Sequence, residues 1–383
     1  MHAEKPHLRG FLIYGIIYGM YLAVLGRQSE ISLAELEALF SDVRRIGDGL
    51  ATFKADDVEI DRLGGVLKVA RKMEAKPLEF LAALPEGKIT LGVSDYSRKG
   101  SRKMAQLEAL NLKKILVRHG RSVRVVENKD AVLSTATSLH NGLSGKNTRK
   151  VELIKVENNW YKVIGVQDID AYAKRDRVRP ARDAKVGMLP PKLAQILINL
   201  CGGLPQEATI LDPFCGTGVV LQEALLMGYK AYGTDLSERM VEYTQKNMIW
   251  LSKNGASDKF RVAVGDATSF QWDQPIDAVA CEGYLGQPMS QIPVEIKLKQ
   301  QKQECGAIVL GFLKNLAGQI KSGTPVTIAV PAWLRESGEY SRLEIVDKIE
   351  DMGYNVNNKS REGLIYCREK QIVARDILIL RKK

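Results

Sequence analysis

Three apolar segments in the C-terminal half, each predicted to be a β-strand, end in an acidic residue. The first ends at Asp212, the second at Asp235, and the third, Phe260–Val264, is followed by Gly265 and Asp266. Predicted helices separate these strands, and strands that alternate with helices form a parallel, doubly wound sheet. The carboxyl ends of such strands lie along one edge, where open α/β sheets bind ligands. The sequence therefore predicts an α/β fold with a ligand site among these carboxylates.

A turn with two glycines follows the first strand, in the sequence Asp212-Pro213-Phe214-Cys215-Gly216-Thr217-Gly218. Gly216 and Gly218 let the backbone come close to a ligand at the strand end. The G-x-G-x-x-G spacing of dinucleotide-binding proteins is absent, because the position three after Gly218 is Leu221. A nicotinamide cofactor is therefore a poorer match to this turn than another nucleoside-containing ligand.

S-adenosylmethionine is the ligand that best matches the acidic residues. Asp235 can accept hydrogen bonds from both ribose hydroxyls, and Asp266 can accept from the exocyclic amine of adenine. Asp212 can engage the methionine amine. An ordinary turn with surface aspartates is the alternative. The predicted cofactor-binding residues are Asp212, Phe214, Gly216, Gly218, Asp235 and Asp266.

The net charge of +11 is concentrated in two short stretches. Residues 98–124 contain nine basic residues against Glu108 alone, and residues 174–192 contain seven basic residues against Asp176 and Asp183. Such clustering is expected for a surface that binds a polyanion. Solvated charged faces are the alternative, and charge alone does not distinguish RNA from DNA or from an anionic membrane.

The five cysteines and four histidines are scattered, with no C-x-x-C pair. This spacing excludes a Cys-ligated zinc module and argues against a secreted disulfide scaffold, so we expect a cytoplasmic protein without a metal. The apolar residues 11–25 follow Lys5 and Arg9, as in a signal peptide. They are fewer than the roughly 20 needed to span a bilayer, so we predict a buried strand over residues 20–25 and no membrane association.

Several motifs together resemble one family. The turn from Asp212 to Gly218 is similar to the first motif of Rossmann-fold methyltransferases that modify exocyclic amines of nucleobases. Two upstream segments look like those of a narrower family, the THUMP-containing tRNA guanine-N2 methyltransferases that act at position 10 of tRNA in archaea and eukaryotes. These segments are Gln167-Asp168-Ile169-Asp170-Ala171-Tyr172-Ala173-Lys174-Arg175-Asp176 and Gly187-Met188-Leu189-Pro190-Pro191-Lys192-Leu193-Ala194. Similarity also extends to residues 26–28, 33–37, 133–143, 179–183, 199–200, 366–368 and 374–377, and thus over nearly the whole chain.

The resemblance implies a particular domain organisation. Residues 1–84 would be an N-terminal ferredoxin-like domain, and residues 85–166 a THUMP domain that grips the tRNA 3′ end. Residues 167–191 would be a linker, and residues 192–383 the Rossmann-fold methyltransferase domain. With tRNA as the implied partner, the predicted RNA-binding residues are Arg98, Lys99, Arg102, Lys103, Arg118, Arg121, Arg179 and Arg182. For Arg179 and Arg182, pairing with Asp176 and Asp183 is an equal alternative.

The predicted catalytic loop departs from the family pattern. Amino-methyltransferases usually carry Asp/Asn-Pro-Pro-Tyr/Phe after the fourth strand, whereas this chain has Glu282-Gly283-Tyr284-Leu285. Glu282 can still accept an N–H bond from the substrate amine, although its carboxylate lies one C–C bond, about 1.5 Å, further from the backbone. Tyr284 can still stack on a flipped base. Glu282 and Tyr284 are therefore the predicted catalytic residues, with a surface carboxylate and a rim aromatic as the alternative.

These observations predict an S-adenosylmethionine-dependent methyltransferase that acts on the exocyclic amine of a guanosine in tRNA. The competing hypothesis is a tRNA-binding protein that keeps the cofactor fold without transferring a methyl group. Other guanosines, adenine amines, single or double methylation, and a small activating partner subunit are left open by the sequence.

Overall fold

The computed structural model describes residues 19–183, 188–357, 364–368 and 371–383. The first part of the apolar segment, residues 11–18, and position 187 of the family-like segment lie outside this range. The strand expected over residues 20–25 is present as β1 (Gly19–Leu25), and Leu22 and Ala23 within it are fully buried.

The N-terminal half forms one eight-stranded sheet with the strand order β2-β3-β1-β4-β8-β7-β5-β6. The sequence predicts strands over residues 20–25, 64–69, 89–93, 122–126, 150–156 and 160–166. It also predicts helices over residues 31–40 and 76–84, near 132–139, and around Met104, Leu107 and Leu110. Each of these elements is present within a few residues of its predicted place. The strands are β1, β2 (Ser41–Gly47), β3 (Leu50–Ala55), β4 (Val66–Lys72), β5 (Ile89–Asp95), β6 (Val123–Val125), β7 (Lys150–Val156) and β8 (Asn159–Val166). The helices are α1 (Ser29–Leu39), α2 (Pro77–Ala82), α3 (Arg102–Arg118) and α4 (Thr135–His140).

The hairpin formed by β2 and β3 was not predicted. Strand β2 is an edge strand on which no residue is buried, so its sequence lacks the apolar alternation by which strands are recognised. Strands on either side of the predicted boundary at residue 84 belong to the same sheet, because β4 pairs antiparallel with β8.

A buried ion pair holds the middle of this sheet together. Lys68 of β4 donates to Glu152 of β7 at 2.6 Å and to the carbonyl of Leu133 at 2.7 Å. The hydroxyls of Ser94 and Ser138 also donate to the Glu152 carboxylate, each at 2.6 Å. Because both charged groups are buried and hydrogen-bonded, and Ser138 of α4 is one of the donors, this cluster fixes the position of α4 over the sheet.

The C-terminal half forms a nine-stranded sheet with a central order of β11-β10-β9-β12-β13-β17-β15. Its strands are β9 (Thr209–Asp212), β10 (Lys230–Asp235), β11 (Phe260–Val264), β12 (Ala278–Glu282), β13 (Pro325–Leu334), β14 (Tyr340–Ser341), β15 (Tyr354–Val356), β16 (Ile365–Tyr366) and β17 (Val373–Lys382). Its helices are α5 (Ile169–Arg177), α6 (Pro191–Asn199), α7 (Val219–Leu226), α8 (Glu238–Lys253), α9 (Glu295–Ala317) and α10 (Val346–Asp351).

Strands β9 to β13 are parallel, whereas β17 runs antiparallel to β13. This arrangement confirms the predicted α/β, doubly wound sheet. The chain leaves β9 on one side towards β10 and later returns on its other side to form β12. Ligands bind at this kind of switch in strand order, so the carboxyl ends of β9 and β12 mark the expected site.

The two sheets meet through helices α1 and α6. Glu35 of α1 is fully buried and accepts from the backbone N–H of Gly64 at 2.9 Å and of Gly65 at 2.8 Å. It also accepts from the amide of Asn199 on α6 at 2.7 Å. Ile31 of α1 belongs to the same apolar core as the α6 side chains. The N-terminal half therefore packs firmly against the C-terminal sheet.

Candidate active site

Four carboxylates lie at the carboxyl ends of four adjacent strands. Asp266 follows β11, Asp235 ends β10, Asp212 ends β9 and Glu282 ends β12. The Asp212 residue is only 2% exposed, and burial raises the pKa of its carboxyl well above the ordinary value. The negative charges of Asp235 and Glu282 raise this pKa further, which places these two carboxylates near Asp212.

The glycine turn is held in shape by Asp235. One carboxylate oxygen of Asp235 accepts from the backbone N–H of Gly216 at 2.8 Å, and the other accepts from Ser237 N–H at 2.9 Å. The Thr244 hydroxyl donates to the Gly216 carbonyl at 2.7 Å. Gly216 has φ +52° and Gly218 has φ +81°, conformations that favour glycine. The predicted turn therefore exists with both glycines in the left-handed region, and at Gly218 an added Cβ would also lie 2.8 Å from Thr244 Cγ2.

The remaining predicted cofactor residues differ in exposure. Asp266 is exposed, and its carboxylate accepts from the backbone N–H and hydroxyl of Thr268, which hold its pKa below the usual range. Phe214 packs edge-on against Phe312, with ring centroids 5.3 Å apart. Leu236, directly after Asp235, is an apolar side chain that is 75% exposed at the same edge of the sheet.

The carboxylates at the strand ends suit a cationic nucleoside ligand. A Cβ built on Gly216 would have only the Phe214 carbonyl oxygen near it, at 4.0 Å, so this face of the turn is open. Strand-end carboxylates lie on both sides of the turn and can accept from hydroxyls and amines. S-adenosylmethionine carries ribose hydroxyls, two amines and a sulfonium charge, and the residues present fit that group.

Glu282 is bound by a residue that sequence reasoning did not select. Its carboxylate forms an ion pair with the Arg375 guanidinium of β17, and the two side chains are only 16% and 3% exposed. Burial raises the pKa of Glu282, whereas the positive charges of Arg375 and Arg368 oppose that rise. Arg375 escaped detection because it lies 93 residues further along the sequence, so no local spacing connects the two.

The loop after Glu282 is fixed by backbone contacts. Gly283 N–H donates to the Ala329 carbonyl at 2.9 Å, which continues the β12–β13 pairing by one residue. Tyr284 packs on the core between the sheet and α9, and its hydroxyl accepts from the side-chain amide of Gln287 at 3.3 Å. Burial raises the pKa of the Tyr284 phenol, so it stays neutral. The loop thus places an acidic and an aromatic side chain at the same edge of the sheet.

Six of the eight predicted RNA-binding residues are exposed: Arg98, Lys99, Arg102, Lys103, Arg118 and Arg182. Five of them belong to α3 and the loop before it. The apolar residues Met104, Leu107 and Leu110 of α3 are also exposed, because this helix packs through Ala105, Ala109, Leu112 and Leu116 instead.

The other two arginines have structural contacts. Arg121 donates three hydrogen bonds, of 2.8 to 2.9 Å, to the carbonyls of Ala82, Leu84 and Pro85. It therefore satisfies carbonyls at the end of α2, where helices leave them unpaired. Arg179 is 3% exposed and donates to the sulfur of Met188 at 3.1 Å. Both differ from the prediction of solvent-facing phosphate contacts, because sequence clustering reports charge and not exposure.

The described part of the chain offers neither a membrane span nor a metal centre. None of the helices in the described ranges is long and apolar enough to cross a membrane. Within the same ranges, no group of three or more His, Cys, Asp or Glu side chains could hold a metal ion.

Residues 179–304 match the family described as UPF0020, RMKL-like, methyltransferase domain. The chain is 33% identical over 148 residues to the tRNA (guanine(10)-N2)-dimethyltransferase of Methanothermobacter thermautotrophicus, covering 39% of this chain and 40% of that protein. It is 45% identical over 83 residues to the protein of the same name from Pyrococcus abyssi, covering 22% of this chain and 23% of that protein. The matches thus span less than half the length of these relatives.

Among solved structures, TrmN from Thermus thermophilus aligns with 95% of this chain and all of its own, at 17% identity and a TM-score of 0.45. A possible methylase from Clostridium difficile aligns with 95% of this chain and 98% of its own, at 14% identity and the same TM-score. The family match spans the glycine turn, Asp235, Asp266 and Glu282, so the part of the C-terminal half that carries the candidate site is similar to a methyltransferase domain.

Proposed function

We propose that this protein transfers methyl groups from S-adenosylmethionine to the exocyclic N2 amine of a guanosine in tRNA, at position 10. The observation that carries the proposal is the buried ion pair between Arg375 and Glu282 at the end of β12, beside the row of cofactor carboxylates. The names of the relatives support the choice of nucleoside and position.

The chemistry requires an acceptor for the substrate amine. The lone pair of a guanine amine is delocalised into the ring, which makes it a poor nucleophile. A carboxylate that accepts one amine N–H localises this lone pair and orients it for in-line attack. Glu282 is suited to this role, since Arg375 holds one side of the carboxylate and opposes the rise of its pKa that burial causes.

When bound, S-adenosylmethionine would supply an electrophilic methyl group. The amine lone pair would form the N–C bond as the C–S electron pair returned to sulfur, and the N–H proton would pass to the Glu282 carboxylate and from there to water. Asp212 and Asp235 are proposed to hold the amine and ribose of this cofactor, with Asp266 at its adenine and Phe214, Gly216 and Gly218 forming the turn beneath it. Tyr284 is proposed to stack on the target base after it leaves its helix.

The N-terminal half is proposed to bind the RNA. Residues 1–84 and 85–166 are proposed as ferredoxin-like and THUMP domains, residues 167–191 as a linker and residues 192–383 as the methyltransferase domain. The exposed basic residues of α3 and of the preceding loop support this assignment. Neutralising tRNA phosphates releases counterions, so affinity should fall steeply with salt.

The direct test is transfer of labelled methyl from S-adenosylmethionine to unmodified tRNA transcripts, followed by nucleoside analysis. We expect N2-methylated guanosine at position 10 and none in a transcript whose position 10 is changed to adenosine. Label at another guanosine would refute the assigned position.

A second candidate is a tRNA-binding protein without transfer activity. The Gly283-Tyr284 pair in place of two prolines favours it, because the loop then loses the stiffness that proline provides. Tight binding of tRNA and cofactor with no transfer, in the presence and absence of cell extract, would support this candidate and refute the enzyme.

A further inference from the structure

Helix α1 of the N-terminal half spans the junction between the two sheets. Near its middle, buried Glu35 accepts from Asn199 of α6, and Ile31, in the first turn, packs in the core around α6. These two contacts bury the helix against the methyltransferase half. The N-terminal end of α1 is therefore held at a defined place relative to the C-terminal sheet.

Gln28, immediately before α1, contacts the segment 364–368 of the C-terminal half. Its side-chain amide donates a hydrogen bond to the backbone carbonyl of Cys367. Its own carbonyl accepts from the N–H and the hydroxyl of Ser32, both at 3.1 Å, which fixes Gln28 to the helix. A residue of the N-terminal half thus holds the segment 364–368 of the C-terminal half.

This segment lies directly against the residue that binds Glu282. Strand β16 pairs with β17 so that Tyr366, the neighbour of Cys367, lies opposite Arg375. The Arg375 guanidinium carbon is 6.0 Å from the centroid of the Tyr366 ring. Gln28 is therefore linked to the Glu282 carboxylate in four steps. They are the hydrogen bond to Cys367, the chain bond to Tyr366, the strand pairing with Arg375 and the ion pair with Glu282.

We propose that Gln28 is a positioning residue for methyl transfer, which acts through the segment 364–368 and Arg375 to orient the Glu282 carboxylate. The proposal rests on the function proposed above. It makes the N-terminal half a part of the transfer site in addition to its proposed role in binding RNA.

A role for Gln28 in docking the two halves alone does not explain its contact with the segment 364–368. The Glu35–Asn199 hydrogen bond and the shared apolar core already hold the two halves together. Both involve α6, which is distant in sequence from the segment 364–368. Apart from the Gln28 amide, the segment has the short β16–β17 pairing, the packing of Leu364 and Tyr366, the hydrogen bonds between Arg368 and Gln371 and the interaction of Cys367 with Tyr340. All of these contacts on the backbone at Cys367 and its neighbours come from short stretches of the C-terminal half, whereas the amide ties the segment to α1. Losing the amide should therefore loosen the support of Arg375 more than the docking of the halves.

The test uses the full-length protein and three variants. Gln28→Glu keeps the side-chain shape but replaces the N–H donor with an oxygen that repels the Cys367 carbonyl, and Gln28→Ala removes the contact. Glu37→Gln, on the exposed face of α1, is the matched control. Single-turnover methyl transfer to a tRNA transcript, tRNA affinity, unfolding temperature and the pH profile of the rate are measured for each.

For Gln28→Glu we expect a transfer rate lower by about 10-fold, because small displacements of reacting groups reduce rates steeply. Affinity for tRNA should stay at the control value, and the loss of unfolding temperature should be small beside the loss of rate, since the Glu35–Asn199 hydrogen bond and the shared apolar core remain. The low-pH limb of the pH–rate profile should move to higher pH, because Glu282 loses part of the influence of Arg375 and of Arg368, which belongs to the loosened segment, while the carboxyl of Asp212 remains nearby. Gln28→Ala should show the same changes to a smaller extent.

Three results would overturn the inference. One is an unchanged rate and pH profile in Gln28→Glu with an active wild-type protein. Another is a parallel loss of rate, affinity and unfolding temperature, which would make Gln28 a docking residue only. A wild-type protein that binds tRNA but transfers no methyl group would refute the proposed function itself, and with it any positioning role.

Discussion

Arg375 of β17 binds the Glu282 carboxylate at the end of β12, and β13 lies between these two strands. The ion pair therefore crosses over one strand at the carboxyl edge of the sheet. Its two side chains are largely buried, so neither charge is satisfied by water alone. The pair holds a single orientation of the one acidic group in the predicted catalytic loop.

Replacing Glu282 by Gln should reduce transfer and leave binding unchanged. The Glu282→Gln variant keeps an oxygen for Arg375 but loses the negative charge that orients the amine and stabilises its positive charge. We expect a turnover about 10²-fold lower or more, with tRNA and cofactor affinities at wild-type values. Glu282→Ala should in addition destabilise the fold by about 3–5 kcal/mol, because it leaves a buried guanidinium without its partner. Equal turnover in the Glu282→Gln and wild-type proteins would exclude Glu282 from the reaction.

Replacing Arg375 by Met should shift the pH dependence of the reaction. Burial raises the pKa of Glu282, and the Arg375 charge counteracts that rise. Without Arg375 the pKa rises further, so the carboxylate becomes ionised only at higher pH. The low-pH limb of the turnover profile should therefore move upward by about 1–3 pH units, and activity should partly recover in alkaline buffer. A limb that stays in place would show that another group controls the reaction.

Replacing Gly218 by Ala should weaken cofactor binding. Gly218 has φ +81°, and an added Cβ would lie 2.8 Å from Thr244 Cγ2, whose hydroxyl holds the Gly216 carbonyl. Gly228→Ala is the matched control, because its φ is +84° but its Cβ would meet nothing within 4 Å. Backbone strain of about 1–2 kcal/mol is common to both variants. Only Gly218→Ala should lower the affinity for S-adenosylmethionine in calorimetry, and equal affinities would refute a role for this turn.

The parallel sheet and its acidic strand ends were predictable because they are local patterns. Asp212, Asp235 and Asp266 each follow an apolar run, and the topology of an alternating chain brings such positions to one edge. The β2–β3 hairpin was missed because β2 is exposed along its length. Likewise, the helical period around Met104 indicated a helix but not its buried face, which the small residue Ala105 occupies.

Long-range contacts were beyond the reach of sequence reasoning. Arg375 lies 93 positions from Glu282, and Gln28 lies 339 positions from Cys367. Nothing in the spacing of these residues indicates that they meet, because the fold decides which strands and helices become neighbours. For the same reason charge clustering placed Arg121 among the RNA-binding residues, although its guanidinium is engaged by three carbonyls.

Charge reversal at an exposed basic residue of α3 should reduce tRNA affinity. Arg118→Glu changes an exposed residue, so we expect weaker binding and a salt dependence whose slope falls by about one phosphate contact. Lys253→Glu, at the exposed end of α8, changes charge equally and should leave the slope unaltered. Arg121→Glu should instead lower the unfolding temperature, because the α2 carbonyls lose their donor. Equal slopes for Arg118→Glu and Lys253→Glu would contradict an RNA surface on α3.

Stability should depend on pH through Glu35. Burial raises the pKa of this carboxyl to about 7 in the folded protein, from an ordinary value of 4.5, although three N–H groups donate to it. Between these two values the folded state binds more protons than the unfolded state, so the free energy of unfolding falls as pH rises, by at most about 1.4 kcal/mol per pH unit. Glu35→Gln cannot ionise and should lose this slope.

The Glu35→Gln variant should also be less stable at every pH, by about 1–3 kcal/mol, because its amide N–H₂ would face a backbone or Asn199 N–H donor. Denaturant unfolding at pH 5 and pH 8 measures both effects, with Glu37→Gln as the control on the exposed face of the same helix. Wild-type and Glu37→Gln proteins should lose the same stability between the two pH values, and Glu35→Gln distinctly less. If all three lose equal amounts, Glu35 does not titrate in this window, and the junction between α1 and α6 is held by an ionised carboxylate.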